Sequence, residues 1–273
     1  MHNFLIVYMI IIVVFIAQWY LSLFCQTFFQ HRYAAHGAFT MSKGWERFFF
    51  ILTFLFQGSS YLSTRAYAIM HRMHHAFADT EHDPHSPSYS KNIFDMMWQT
   101  YKAYAGIYSE ETKVDAKFLK NVPDWKSFDR FAGSNGVRLL WVVAYICFYA
   151  AFATSPWLWL LLPFQIIMSP VHGAVVNWFA HKYGYKNFKM KNTAENLLIV
   201  DVLMLGESYH NNHHKHPSSI NFGYRWHEID PIYPIILLFN KLGIVNVPKQ
   251  KPVSIVITPE HETEKEKQYE EMQ

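Results

Sequence analysis

The chain has 273 residues, 51% hydrophobic and 18% aromatic, with only 16% charged, against about 25% charged in an average soluble domain. Its net charge of +3, with no basic stripe or cluster, excludes a nucleic-acid partner. Its two cysteines, Cys25 and Cys147, lie inside apolar runs, which excludes a disulfide framework and any four-cysteine zinc or iron–sulfur site.

None of the 24 Lys/Arg falls in residues 1–31 or in residues 139–181. The first gap contains Phe4–Phe24, 21 residues whose clearly polar members are Gln18 and Ser22. As a helix it is long enough to cross a hydrocarbon core of about 30 Å, and Trp19 and Tyr20 sit where interfacial aromatics belong. A cleaved signal peptide fits poorly: there is no basic n-region, the apolar core is too long, and no small-x-small site follows. His31 and His36 come next, five residues apart. That spacing shares no face of a straight α-helix, so the pair is expected to bracket a helix end.

Phe48–Leu62 is apolar enough to span. It is flanked, however, by His31/His36 before it and His71/His74/His75 after it. If those histidines share one centre, a single crossing between them is excluded, and the stretch should be interfacial, re-entrant or buried against protein. The second charge-free gap reads as a membrane hairpin, Leu139–Ala153 and Trp157–Val176 around a Thr154-Ser155-Pro156 turn, with kinks expected at Pro163 and Pro170. Asn177 and His181 stand at its mouth. From Asn187 to Arg225 the chain is polar and turn-rich. Pro231–Val247 reads as an amphipathic interfacial segment ending in a Gly-Ile-Val-Asn turn. Residues 248–273 read as a charged, disordered tail after a membrane domain spanning 1–247. The resulting fold class is an all-α integral membrane protein of about three transmembrane helices, one span plus a hairpin, under a helical cap. Eight Lys/Arg in 70–136 and eleven after residue 181 put the cap in the cytoplasm, with the N-terminus and hairpin turn on the far side.

The histidines carry the chemistry. His71-Arg-Met-His74-His75 and His210-Asn-Asn-His213-His214 both have i, i+3, i+4 spacing, which places three imidazoles on one helical side. Taken singly, each cluster is explained by a polar helix face, and His31/His36 or Asn177/His181 by a membrane surface or a helix end. Nine histidines in four clusters on one membrane face exceed what solvated decoration explains. They overfill one zinc, which takes about four ligands, but suit two metals of higher coordination number. Imidazole serves iron, zinc, copper and nickel alike, and the spacing differs from the Glu-x-x-His of soluble di-iron bundles.

The order H-x4-H, H-x2-H-H, N-x3-H, H-x2-H-H resembles the membrane fatty acid desaturases, in particular the acyl-CoA Δ9 type. So does its context: Asp79 and Asp83-Pro84-His85 trail the second cluster, Gly206-Glu207 precede the third, and Trp226-His-Glu228-Ile-Asp230-Pro231 follows it. The likeness covers about residues 10–235 and is tightest in the clusters. It implies one iron on His31, His36, His71, His75 and His214, and a second on His74, His181, His210 and His213, with a water held by Asn177. Asp79, Asp83 and Glu207 stand close enough in sequence to orient ligand imidazoles from behind, and surface or capping roles suit them equally.

The same resemblance implies an O₂-dependent enzyme that places a cis double bond, at Δ9, in a long-chain acyl thioester, with acyl-CoA favoured over acyl carrier protein or lipid. No haem domain, Cys-x-x-Cys or Gly-x-Gly-x-x-Gly fingerprint is present, so electrons are expected from a separate ferredoxin, rubredoxin or b-type cytochrome with its reductase. Two alternatives stand beside this reading. One is a di-iron membrane hydroxylase of a lipid or alkane; the other is a non-catalytic haem- or zinc-binding membrane protein.

Overall fold

Uncharged and rich in Ile, Val, Leu and Phe, the N-terminal segment winds into one helix, α1 (His2–Phe24), as its composition demands. The computed structural model describes residues 2–248, with side chains from Met9 onward. From residue 249 the expected tail lies outside the described residues. Beyond Phe24 the same rod continues as a π-helical stretch, Cys25–Ala35. His36 N donates to His31 O at 3.1 Å, an i to i+5 bond that π-winding makes and α-winding does not. The expected bracketing of a helix end is met in a wider helix: His31 lies inside it, His36 caps its end, and the winding turns both imidazoles to one side.

A two-residue strand, β1 (Thr40–Met41), leads to α2 (Lys43–Gln57). The Ser42 hydroxyl caps α2 by accepting from Trp45 N. Fifteen residues reach roughly 22 Å as a helix, short of the hydrocarbon thickness. Phe49, Phe50, Thr53 and Gln57 are buried while Phe48, Ile51 and Leu55 are exposed, so α2 lays one face on the protein. Its buried face joins Phe28, Phe29 and Phe39 in the largest apolar cluster. Gly58 ends the helix at φ +55°, where a Cβ would also strike the Tyr145 hydroxyl.

Helix α3 (Thr64–Phe77) starts from a Ser63 cap and packs along the π-helical stretch. Arg72 ties the two together: its guanidinium donates to Ala35 O at 2.6 Å and Ala34 O at 2.9 Å, carbonyls left over at the end of the π-helix. Helix α4 (Ile93–Tyr108) follows, then the short α5 (Ala116–Leu119) and α6 (Lys126–Ala132).

Helix α7 (Asn135–Phe152) is the second long apolar rod, with Arg138 near its start as its one charge. The returning arm is not one kinked helix. It comprises a 3₁₀ turn (Pro156–Leu161), α8 (Leu162–Ile166), α9 (Met168–Ala174) and a π-turn (Val175–Phe179), bent by 73° at Ile167. The kinks expected at Pro163 and Pro170 are thus one bend between them. Pro170 has no N–H to give Ile166 O, and the Ser59 hydroxyl donates to that carbonyl instead, at 2.8 Å. Among the described residues two helices are long and apolar enough to cross a membrane, or three if the bent pair is one span. Their polar side chains satisfy one another: Gln18 donates to Tyr145 (2.6 Å), Gln165 to Gln18 (2.6 Å) and Tyr149 to Gln165 (2.8 Å).

Irregular chain then leads to α10 (His210–Lys215) and α11 (Ile232–Lys241). The turn expected over Gly243–Asn246 lies instead at Leu242 and Gly243, the latter at φ +72°, with a bend at Ile244. Val245–Asn246 forms β2, antiparallel to β1.

Candidate metal centre

The nine histidines come together in two adjoining sets. His31, His36, His71, His75 and His213 offer ring nitrogens within 4.8 Å of one another, and so do His74, His181, His210 and His214. In the first set, Nε2–Nε2 distances are 2.9 Å for His31–His213, 2.9 Å for His36–His71, 3.0 Å for His71–His75 and 2.8 Å for His75–His213. In the second they are 3.2 Å for His74–His214, 2.9 Å for His181–His210 and 3.0 Å for His210–His214. The sets share a wall, where the His75 and His214 rings stack at 4.3 Å.

Helix geometry decides which imidazole goes where. On α3, His71 and His75 are four apart and serve the first set, while His74, one position round, serves the second. On α10 the pattern is inverted: His210 and His214 serve the second set and His213 the first. The three imidazoles of each cluster share one helical side, with ring centroids no more than 6.1 Å apart, but divide between the two sets. His213 and His214 stand exchanged relative to the expected partition: consecutive residues point about 100° apart on a helix of 3.6 residues per turn, so the two rings fall on either side of the wall between the sets.

Behind the rings stand carboxylates. His74 Nδ1 lies 2.9 Å from Asp83 Oδ1, and Asp83 also accepts from the backbone N–H of Asp79 (2.9 Å) and His85 (3.1 Å). His31 Nδ1 lies 2.7 Å from Glu207 Oε2, out of line for a hydrogen bond. Asp79 reaches His181 Nδ1 at 3.6 Å and accepts from Thr193 N (2.6 Å) and Oγ1 (2.9 Å); Thr193 Oγ1 is itself 3.1 Å from that nitrogen. Asn192 Nδ2 stands 3.3 Å from His214 Nδ1. Thr193 and Asn192 escape sequence reading because nothing local distinguishes them in a polar loop.

Burial, then the neighbouring imidazoles, press His36, His71, His75, His210, His213 and His214 well below the usual histidine range, so these rings are neutral. Burial and His181 do the same for His74. Burial acts upward on Glu207, but His31, Arg32 and a Thr27 hydrogen bond together hold it below its ordinary value. Burial raises Asp83.

The donor set fits metal ions. His74, donating from Nδ1 to Asp83, turns a bare Nε2 lone pair toward His214. In the first set, His75 and His213 each meet two other Nε2 atoms at 3.0 Å or less. Lone pairs so crowded repel unless a cation lies among them. Separations near 3 Å are those of neighbouring ligands at right angles around a point about 2.1 Å from each nitrogen.

A buried frame holds α10, which at six residues is too short to stand alone. Asn211 accepts from Asn187 N and Phe188 N and donates to Phe188 O and Ala194 O, all at 2.8–3.0 Å. Asn212 donates to Phe222 O (2.9 Å) and Glu228 (2.8 Å). Arg32, fully buried, pairs with Asp230 at 2.7 Å and lies over Phe222. Glu228 and Asp230 are thus frame residues of the third cluster.

One cavity of about 240 Å³ adjoins the imidazoles, lined by His71, His210, Asn177 and Glu207 and by apolar side chains that include Leu23, Met70, Met97, Val176 and Met204. Asn177 faces this cavity and is half-buried.

A model of the fatty acid desaturase family matches residues 5–241. The chain is 30% identical over 234 residues to Delta-9 desaturase-like 3 protein of Arabidopsis thaliana, covering 80% of this chain and 70% of that protein. It is 28% identical to an sn-1 stearoyl-lipid 9-desaturase of Synechocystis sp. (81% of this chain, 66% of the relative). It is 26% identical to a hex-5-enoyl-[acyl-carrier protein] acetylenase of Moorena producens (84% and 74%).

Proposed function

The chain belongs to the fatty acid desaturase family, and from that premise we propose that it is an O₂-dependent acyl desaturase forming a cis double bond, at Δ9, in a long saturated acyl thioester. The observation that carries the reading is the pair of imidazole sets opening on an apolar cavity. Acyl-CoA is the carrier proposed from the sequence; the relatives named for stearoyl-lipid and acyl-carrier-protein substrates make those carriers the comparison to run beside it.

In this reading His31, His36, His71, His75 and His213 hold one iron, and His74, His181, His210 and His214 the other, with Asn177 holding a water. When bound, the irons would supply O₂ activation with two external electrons and two protons from solvent, so that one hydrogen leaves each of two neighbouring methylenes and two waters form. The chain's own residues do the rest. Asp83, Glu207 and Asp79 fix the tilt of His74, His31 and His181 through their Nδ1 sides. The cavity wall excludes water and sets which methylenes face the imidazoles. Electrons come from a separate ferredoxin, rubredoxin or b-type cytochrome. The protein crosses the membrane several times with the imidazoles on the cytoplasmic side.

Metal analysis of the purified chain tests the centre. Two irons per chain are expected, falling together with activity in His74→Ala/His213→Ala; zinc or haem alone contradicts the proposal.

A further inference from the structure

From residue 197 to residue 205 the chain reads Leu-Leu-Ile-Val-Asp-Val-Leu-Met-Leu, eight apolar residues around one aspartate, inside an otherwise polar stretch. This segment is neither helix nor strand. Ile199, Val200, Val202 and Leu203 are each at least half exposed, whereas Asp201 and Met204 are buried. Ile229 is exposed too and adjoins the loop, since the Tyr209 hydroxyl stands 3.4 Å from Ile199 O and 3.3 Å from Ile229 O.

Contacts fix the depth of this loop along the first span. Trp19 Nε1 donates to Leu203 O at 3.4 Å, and Met204 packs with Leu23 of α1 and Val176 of the returning arm. Trp19 and Leu23 lie in the last two turns of α1, ahead of His31 on the same rod. The loop therefore lies level with a helix long and apolar enough to cross a bilayer. That helix itself exposes Ile16 and Leu21 at the same level.

Irregular backbone is tolerated at such depth where its polar groups are satisfied within the protein. Here Asp201 accepts from Met204 N (2.7 Å), Gly206 N (2.9 Å) and Ser208 N (2.8 Å), and its own N–H goes to the Tyr209 hydroxyl at 3.0 Å. Leu203 O takes the Trp19 indole N–H, and Met204 O takes Glu207 N at 3.1 Å. Polar groups thus turn inward and apolar side chains outward, the reverse of a loop that faces water.

We propose that residues 199–203, with Ile229 beside them, form a loop inserted in the bilayer and covered by the hydrocarbon of its lipids. Met204 lines the cavity while its neighbours Val202 and Leu203 face outward, so this loop is the partition between the cavity and the membrane. The inference concerns how the chain is seated and is independent of the reaction at the imidazoles.

The test uses the full chain in a Cys147→Ser background, Cys25 being buried. Single cysteines at Val200 or Val202 carry an environment-sensitive fluorophore in phosphatidylcholine vesicles. Leu140→Cys, on the exposed face of α7, serves as the hydrocarbon reference, and Lys189→Cys as the aqueous one. The Val200 and Val202 labels are expected to emit at shorter wavelength than the Lys189 label. They are expected to lose fluorescence to lipids carrying a nitroxide on the acyl chain, as the Leu140 label does, and to be untouched by aqueous iodide. Quenching by iodide as at Lys189 overturns the proposal, since the loop then faces water. Quenching by neither agent overturns it as well, because protein, a second copy or a partner, then covers the loop. Nitroxide quenching in a preparation that fails to desaturate supports the proposal and counts against the reaction alone.

Discussion

Asp83 shows how one side chain governs a ligand without touching a metal. It takes His74 Nδ1 at 2.9 Å and is itself steadied by two backbone N–H groups. That arrangement leaves Nε2 of His74 as the free lone pair and fixes its direction. Asp83→Asn keeps the shape and removes the charge, so metal retention and activity should fall about 10–100-fold, read by metal content after dialysis against a chelator. Retention equal to the parent would show that Asp83 only shapes the loop. Arg32 illustrates the opposite case. Buried between Asp230 and Glu207, it holds no ligand directly. Arg32→Met strands two buried carboxylates and should cost about 3–5 kcal/mol, measured as a lowered unfolding midpoint; an unchanged midpoint would contradict the pairing.

Among the elements, the π-helical stretch carries the main lesson on what a sequence reveals. The histidine spacings were legible, and so were the charge-free stretches, because hydropathy and periodicity are local. Winding is not. His31 and His36 cannot share a face of an α-helix, and only the i to i+5 bond between them explains how both reach the first set. The exchange of His213 and His214 has a similar origin, since spacing gives the face of a helix but not which of two centres lies on each side. The split arm after α7 was half legible: two prolines announced a break, but its position depended on Ser59, 107 residues before Ile166, supplying the missing donor. Ser59→Ala should therefore leave Ile166 O unpaired and cost about 1–3 kcal/mol. In a Pro170→Ala background, where an N–H returns, the same change should cost less. Equal costs in both backgrounds, read by thermal unfolding in detergent, would contradict this account.

At the scale of the whole molecule, apolar residues emerge on several elements at once. Leu139 and Leu140 on α7, Phe48 and Leu55 on α2, Phe94 and Trp98 on α4, and Leu237 and Leu238 on α11 are all exposed. Exposed apolar side chains of this kind are what a hydrocarbon layer covers. On the topology proposed above, cysteines placed at Ser155 and Lys189 in a Cys147→Ser background should label from opposite sides of sealed vesicles; labelling from one side would contradict that topology.

The central claim is that the paired imidazole sets desaturate acyl chains. Its most direct test is the lipid profile of a desaturase-deficient host expressing the chain, beside the His74→Ala/His213→Ala variant. The account predicts new cis-monounsaturated chains, with the double bond at Δ9, from the parent alone. Hydroxylated lipid without alkene, or alkene formed equally by the variant, would contradict it.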